Sequence, residues 1–298
     1  MATIHVATAN GVHVFGADGT SDVTHHGASV TGLARAGASV WAIIDRRELW
    51  HDRAGERAHV TDLPIFEATC LASIDGELWV GTSEAHLFRV VDDEIHDMGA
   101  FEHVDGRSSW YTPWGGPPDT RSIAEWDDDV FVNVHVGGIP RTRDGGQTWT
   151  PTIDIDADVH QVTATADLVL AACADGLAVS PDRGATWTMR SDGTEARYAR
   201  AVTVCGDAVL VSTANGPRGG RAAVYRGALS GGPFARCRAG AGWFDGNIDS
   251  HWLDALPDGT LAAFGTADGH LFASTDGGAT WDELAADLPQ VRRVLVMP

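Results

Sequence analysis

Three histidines, His135, His160 and His251, each stand at the edge of a short apolar run, where a strand would meet a loop. Neutral imidazoles brought together from different strands could ligate one divalent metal (zinc, iron or manganese), with positions left for water or substrate. Because His titrates near neutral pH, His160 or His251 could instead serve as a general acid or base. The third role is structural: a hydrogen-bonded ring in a polar part of the core. No HxH or HExxH spacing selects the metal, and with thirteen histidines in the chain some coincidence is expected.

Arg121, Arg200 and Arg292 follow other strand-opening positions. A guanidinium fork pairs bidentately with a carboxylate, so several around one axis would trap an anionic substrate. The competing use is ion pairing with Asp119, Glu67 or Asp249. Two stretches rich in aromatic residues and glycine precede such positions: 105–119, with Trp110, Tyr111 and Trp114, and 241–249, with Trp243 and Phe244, shortly before Trp252. Large rings at loop tips are costly to leave in water. They read as a lid or pocket wall, or as rings packed on a rim or another subunit.

The elements that would position these residues announce themselves by repetition. The pattern (S/T)-x-D-x-G-x-T-W occurs three times, over 142–149, 180–187 and 274–281. Each copy follows a short apolar run such as Leu271-Phe272-Ala273, so each reads as a hairpin turn. Asp accepts backbone N–H bonds within its own turn, Gly supplies positive φ, and the closing Trp buries a large ring on the returning strand. Around these turns a longer unit recurs, with first strands starting at Val30, Ala68, Thr120, His160, Ala199, His251 and Val291, spaced 38, 52, 40, 39, 52 and 40 residues apart. A period of about 40 residues with four short strands predicts propeller blades.

The motif resembles the Asp-box, or BNR repeat, of the sialidase-like, glycosyl hydrolase-like β-propellers. The resemblance spans the whole chain by period and fewer than half of the units by motif. It implies an all-β fold with ligands bound at a central funnel. Sialidases hold a substrate carboxylate with three arginines, for which Arg121, Arg200 and Arg292 would stand, and use a Tyr–Glu nucleophile pair, for which Tyr198 and Glu67 would stand. The family's Arg-Ile-Pro motif is missing; the chain has only Gly138-Ile139-Pro140-Arg141. Sialidase activity itself is therefore not expected.

Seven units follow from the termini. Thr3-Ile4-His5-Val6 aligns with second strands, and the C-terminal run from Gln290 supplies a first strand with nothing after it. Together they complete one blade and close the ring without an open edge. The expected fold is a single seven-bladed β-propeller, with blades at about 1–29 with 290–298, 30–66, 67–117, 118–157, 158–196, 197–248 and 249–289. Where second strands end in Thr8, Thr82, Thr213 and Thr266, three blades carry Asp45, His135 and Cys173 instead. Polarity at the funnel is thus concentrated in blades four to seven.

Composition narrows the function. Net charge is −20 over 298 residues, and all 21 basic residues are arginine. A basic face for nucleic acid or an anionic membrane is therefore not expected. No apolar run is long enough to span a bilayer, and the N-terminus carries no signal-like segment, which predicts a cytoplasmic protein. Cys70, Cys173, Cys205 and Cys237 share no CxxC spacing and read as buried free thiols. The resemblance then implies a hydrolase or lyase acting on an anionic small molecule or a glycan. Arg121, Arg200 and Asp119 would hold the substrate beneath Trp110, Tyr111, Trp114 and Trp252. The alternative is a non-catalytic ligand-binding or assembly propeller.

Overall fold

The computed structural model describes residues 2–16, 21–53, 55–238 and 242–298. Its strands form seven four-stranded antiparallel sheets, the blades of a seven-bladed β-propeller. The C-terminal strand Val291–Met297 pairs with the N-terminal strand Thr3–Thr8, from Thr3 opposite Met297 to Thr8 opposite Val291. The first blade thus takes one strand from one end of the chain and three from the other. Among the described residues no helix is long and apolar enough to cross a membrane.

The chain divides into two compact units, one of Met1–Thr31, Ala174–Leu177 and Arg190–Pro298, the other of Gly32–Cys173 and Ala178–Met189. In the second unit, apolar side chains of successive blades mesh. One cluster joins Leu71, Leu78 and Val80 to Ile43 and Leu49, and another joins Trp79, Leu87 and Phe101 to Val130 and Val132. Such meshing demands small residues where one blade meets the next. A Cβ on Gly81 would lie 2.5 Å from Cys70 Sγ and closer still to Thr120. In the first unit, Phe264, Phe272 and Trp281 stack in a cluster with Leu210 and Leu253.

The three repeated turns are built alike. In the first, Thr142 Oγ1 accepts from Gly146 N (2.9 Å), and Asp144 Oδ1 accepts from Gln147 N (3.0 Å) and Thr148 N (2.9 Å). Thr148 Oγ1 donates to Asp144 Oδ2 at 2.6 Å. These bonds, the Thr148 hydroxyl foremost, hold the Asp144 carboxyl down at about 2. The third turn repeats the arrangement around Asp276, also held at about 2. The middle copy has Arg183 at φ 57°, where its relatives have Gly145 and Gly277. That strained backbone is offset by an ion pair: Arg183 Nη1 lies 2.6 Å from Asp129 Oδ2, on a side chain only 1% exposed.

Strand starts differ from the expected ones in three blades. The fifth, sixth and seventh first strands begin at Val159, Tyr198 and Leu253. His251 lies ahead of its strand because Trp252 N donates to Asp249 O (3.0 Å), closing a turn in which His251 takes φ 64°. All four cysteines are buried and outside any disulfide, and burial pushes the Cys205 and Cys237 thiols up to about 11.

Candidate functional site

A recurrent β-bulge decides which residues occupy equivalent places. Pairing skips one residue near the start of first strands: Thr69 between Ala68 and Cys70, Arg121 between Thr120 and Ser122, His160 between Val159 and Gln161. The same shift falls at Arg200 and Ala201 in the sixth blade and at Arg292 in the first. His160 therefore belongs to the column of Arg121, Arg200 and Arg292, one residue away from the column read off the sequence. An extra bulge residue bends the strand and re-aims its side chain, a feature common beside functional sites.

Two of the three histidines meet. His135 Nε2 lies 3.3 Å from Asp158 Oδ1, and His160 Nε2 lies 3.5 Å from Asp158 Oδ2. His135 and His160 are 4% and 0% exposed, so both rings are buried, whereas the Asp158 side chain is partly exposed. Burial pushes the Asp158 carboxyl up, but the imidazoles of His135 and His160 outweigh it and hold it well below the usual carboxylate range. The result is a carboxylate whose charged form is favoured, placed between two imidazole rings. His251 belongs to the other compact unit. Among the described residues no group of three or more His, Cys, Asp or Glu side chains is arranged to hold a metal ion. The Nε2 atoms of His135 and His160 face Asp158.

Local backbone explains the placement. His135 sits in a tight turn closed by Val134 N to Gly138 O (3.0 Å) and Gly137 N to Val134 O (3.0 Å). Val136 in that turn takes φ 44°, an unfavourable conformation for a β-branched residue. Asp158 follows the short 3-10 turn Ile155–Ala157, whose start is capped by Asp154 accepting from Asp156 N at 2.8 Å, and itself takes φ 47°. The sequence reading missed Asp158. Its signal was the alternation Asp154, Asp156, Asp158 running into His160.

The loop over 105–119 supplies the aromatic wall. The Trp114 ring lies 4.9 Å from that of His135 and is 72% exposed. Tyr111 Oη donates to Asp156 Oδ1 at 3.2 Å. That bond raises the Tyr111 pKa. Trp110 does something else: it packs on the cluster of Phe101, Trp79 and Val134, with Gly137 leaving room for its indole. Asp119 contributes its carbonyl, which accepts from His135 N at 3.0 Å.

The other expected residues have structural partners. Arg200 Nη2 donates to Asp249 Oδ2 at 2.8 Å, with its guanidinium 5.7 Å from the Tyr198 ring centre. Trp252 Nε1 donates to Arg292 O at 3.0 Å. Glu67 pairs with Arg46 at 2.6 Å and belongs to the second unit, whereas Tyr198 belongs to the first. Trp243 lies between the guanidinium groups of Arg221 (4.6 Å) and Arg236 (4.2 Å). Ala241, in the same stretch, lies outside the described residues.

No family model matches the chain, and no curated protein does. Solved structures do. A putative 6-phosphogluconolactonase from Bacteroides uniformis is 12% identical, with 99% of each chain covered and a TM-score of 0.70. A GH74 xyloglucanase from Xanthomonas campestris is 16% identical over 95% of this chain and 52% of its own, at 0.70. YCF48 bound to a D1 peptide is 15% identical over 86% of this chain and 82% of its own, at 0.59. Identities this low carry the fold alone, and the three neighbours include enzymes and a peptide-bound protein.

Proposed function

We propose that the chain is a BNR-type propeller enzyme, a hydrolase or lyase, whose site is the His135–Asp158–His160 group beside Trp114. The observation that carries this reading is the exposed Trp114 ring beside a buried imidazole that faces a carboxylate favoured in its charged form. An indole face is a platform for the apolar face of a sugar ring. Tyr111, Asp156 and Asp158 offer hydroxyl partners next to it, and His135 is the group of suitable chemistry for proton transfer. Asp158 acts through His135, as a positioning residue. The three repeated turns, with one carboxylate bonded to its own backbone and a packed Trp, support reading them as Asp-boxes. Four buried cysteines outside any disulfide fit a reducing, cytoplasmic setting.

The carboxylates beside Trp114 favour a neutral glycan over an anion, and Arg200 already has Asp249 as its partner. The neighbours supply probes of both kinds: xyloglucan oligosaccharides as the neutral class and 6-phosphogluconolactone as the anionic one. We expect calorimetric binding and slow turnover with the neutral class, lost in Trp114→Ala, with turnover but not binding lost in His135→Ala. Binding of the anionic probe alone would restore the arginine-centred site at Arg121. Metal content is measured alongside: stoichiometric zinc, iron or manganese that disappears in His160→Ala would add a metal to the site.

A second reading rests on burial. His160 is fully buried and His135 nearly so, which suits a structural pair under a non-catalytic ligand-binding or assembly surface. Binding retained in His135→Ala, with no turnover of any probe by the wild type, would favour it.

A further inference from the structure

The base of the aromatic loop is held by one side chain. Arg107 Nη2 lies 2.7 Å from Glu102 Oε2, and its Nη1 donates to Ala85 O at 2.9 Å. Nη2 also reaches Glu84 O at 3.4 Å. The guanidinium lies 4.8 Å from the Trp110 ring centre and 5.7 Å from that of Phe101. Glu102 is shared, since its Oε1 meets His86 Nδ1 at 2.6 Å, and the His86 ring stacks on Phe66 at 3.9 Å. A flat cation thus joins a carboxylate, two carbonyls and two rings, uses that only the planar guanidinium combines. Glu84 and Ala85 both take positive φ, near +61° and +54°, in the turn whose carbonyls Arg107 collects.

We infer that Arg107 is the positioning residue of the proposed site. It pins the start of the 105–119 loop to the third blade and thereby sets where Tyr111 and Trp114 stand beside His135 and Asp158. This rests on the functional reading above for its purpose, not for its geometry. Between Arg107 and Trp114 the other anchors to the rest of the fold are the Trp110 ring, Tyr111 N to Val136 O at 3.4 Å, Tyr111 Oη to Asp156 Oδ1 at 3.2 Å and the Trp114 ring beside His135, while Thr112 Oγ1 bonds within the loop to Gly115 O and Gly116 O. Losing the first anchor frees a short segment without touching the strands beneath it.

Hydrogen exchange of the full chain tests this without a ligand. In Arg107→Ala, and in Glu102→Gln, which keeps the shape but removes the charge, amides of 105–119 should exchange about tenfold faster while those of Ala68–Ile74 and Glu77–Thr82 stay as in the wild type. Arg107→Lys should recover only part, because an ammonium cannot reach a carboxylate and two carbonyls and lie flat on Trp110. Unchanged loop exchange in Arg107→Ala overturns the inference, and so does faster exchange spread evenly through both strands, the mark of general destabilisation. With xyloglucan oligosaccharides, the same variants should weaken binding about as much as Trp114→Ala does. If the wild type binds no probe, the functional reading fails while the exchange result stands or falls by itself.

Discussion

At the scale of single residues, carboxylates held among histidine or arginine partners are where sequence and chemistry meet most closely. Asp158 faces two histidines and sits below the usual carboxylate range, so folding favours its charged form. The sign follows: its contribution is fully present above the ordinary value of 3.8 and is lost as pH falls further, towards the folded pKa. Asp158→Asn should therefore lower stability at pH 7 by about 1–3 kcal/mol, a cost set by leaving two buried rings without their partner. The gap between urea titrations of wild type and variant should begin to narrow as pH falls below 3.8, and a gap that stays constant below that pH would remove the linkage. Arg183 is a second case. Arg183→Gly relieves an unfavourable φ of 57° but strips Asp129 of its 2.6 Å partner. Only the Asp129 side of the pair is buried, Arg183 being 37% exposed. Its loss therefore costs less than the ~3–5 kcal/mol of a fully buried pair, while the backbone strain returns about 1–2. The variant should lose about 1 kcal/mol in a urea midpoint measurement. Equal or greater stability would mean that Arg141 and Arg143, 3.3 and 3.4 Å from the other oxygen, suffice.

At the scale of the element, the repeated turn works as a self-contained bracket: one carboxylate closes the loop and one indole docks it. The dockings differ. Trp149 Nε1 donates to Gly146 O and Trp281 Nε1 to Gly278 O within their own turns, while Trp187 Nε1 donates to Thr152 O at 2.9 Å, outside its own turn. The first of these rings also packs edge-on against Phe101 (4.9 Å) and near Trp79 (6.4 Å). Trp149→Ala should cost about 3–5 kcal/mol, the range for truncating a large ring in a packed cluster. Because Phe101 also contacts Trp110, thermal melts should show that loss together with faster exchange over 105–119; a loss below 1 kcal/mol would show that the cluster collapses to fill the space. The recurrent bulge is the other element-level device. It leaves Thr69, Arg121, His160 and Arg292 each as one residue outside the ladder, and Arg200 together with Ala201 in the sixth blade.

At the scale of the whole molecule, the first blade depends on both ends of the chain. The strand Val291–Met297 buries Val294 and Val296 beside Ile4 and Val6. A chain ending at Gln290 would leave Thr3–Thr8 with an unpaired edge and those side chains uncovered, a template for aggregation. Such a truncation should elute as aggregate in size-exclusion chromatography and recover monodispersity when a peptide of residues 290–298 is supplied. A monomeric, fully stable truncation would show that the strand is dispensable.

The blade number and the pairing of the two ends could be read from the sequence because both rest on local, repeated physics: a turn motif, alternating apolar residues and a fixed period. That His135 and His160 stand where other blades carry Thr, Ala or Val was legible too. Their shared partner Asp158 was not, since pairing across blades depends on a bulge that shifts His160 by one residue, and a single-residue slip in a strand exchanges inward and outward. Nor could sequence separate Trp110, spent on packing, from Trp114, left open, because two rings four residues apart in a loop differ only in what folds up against them.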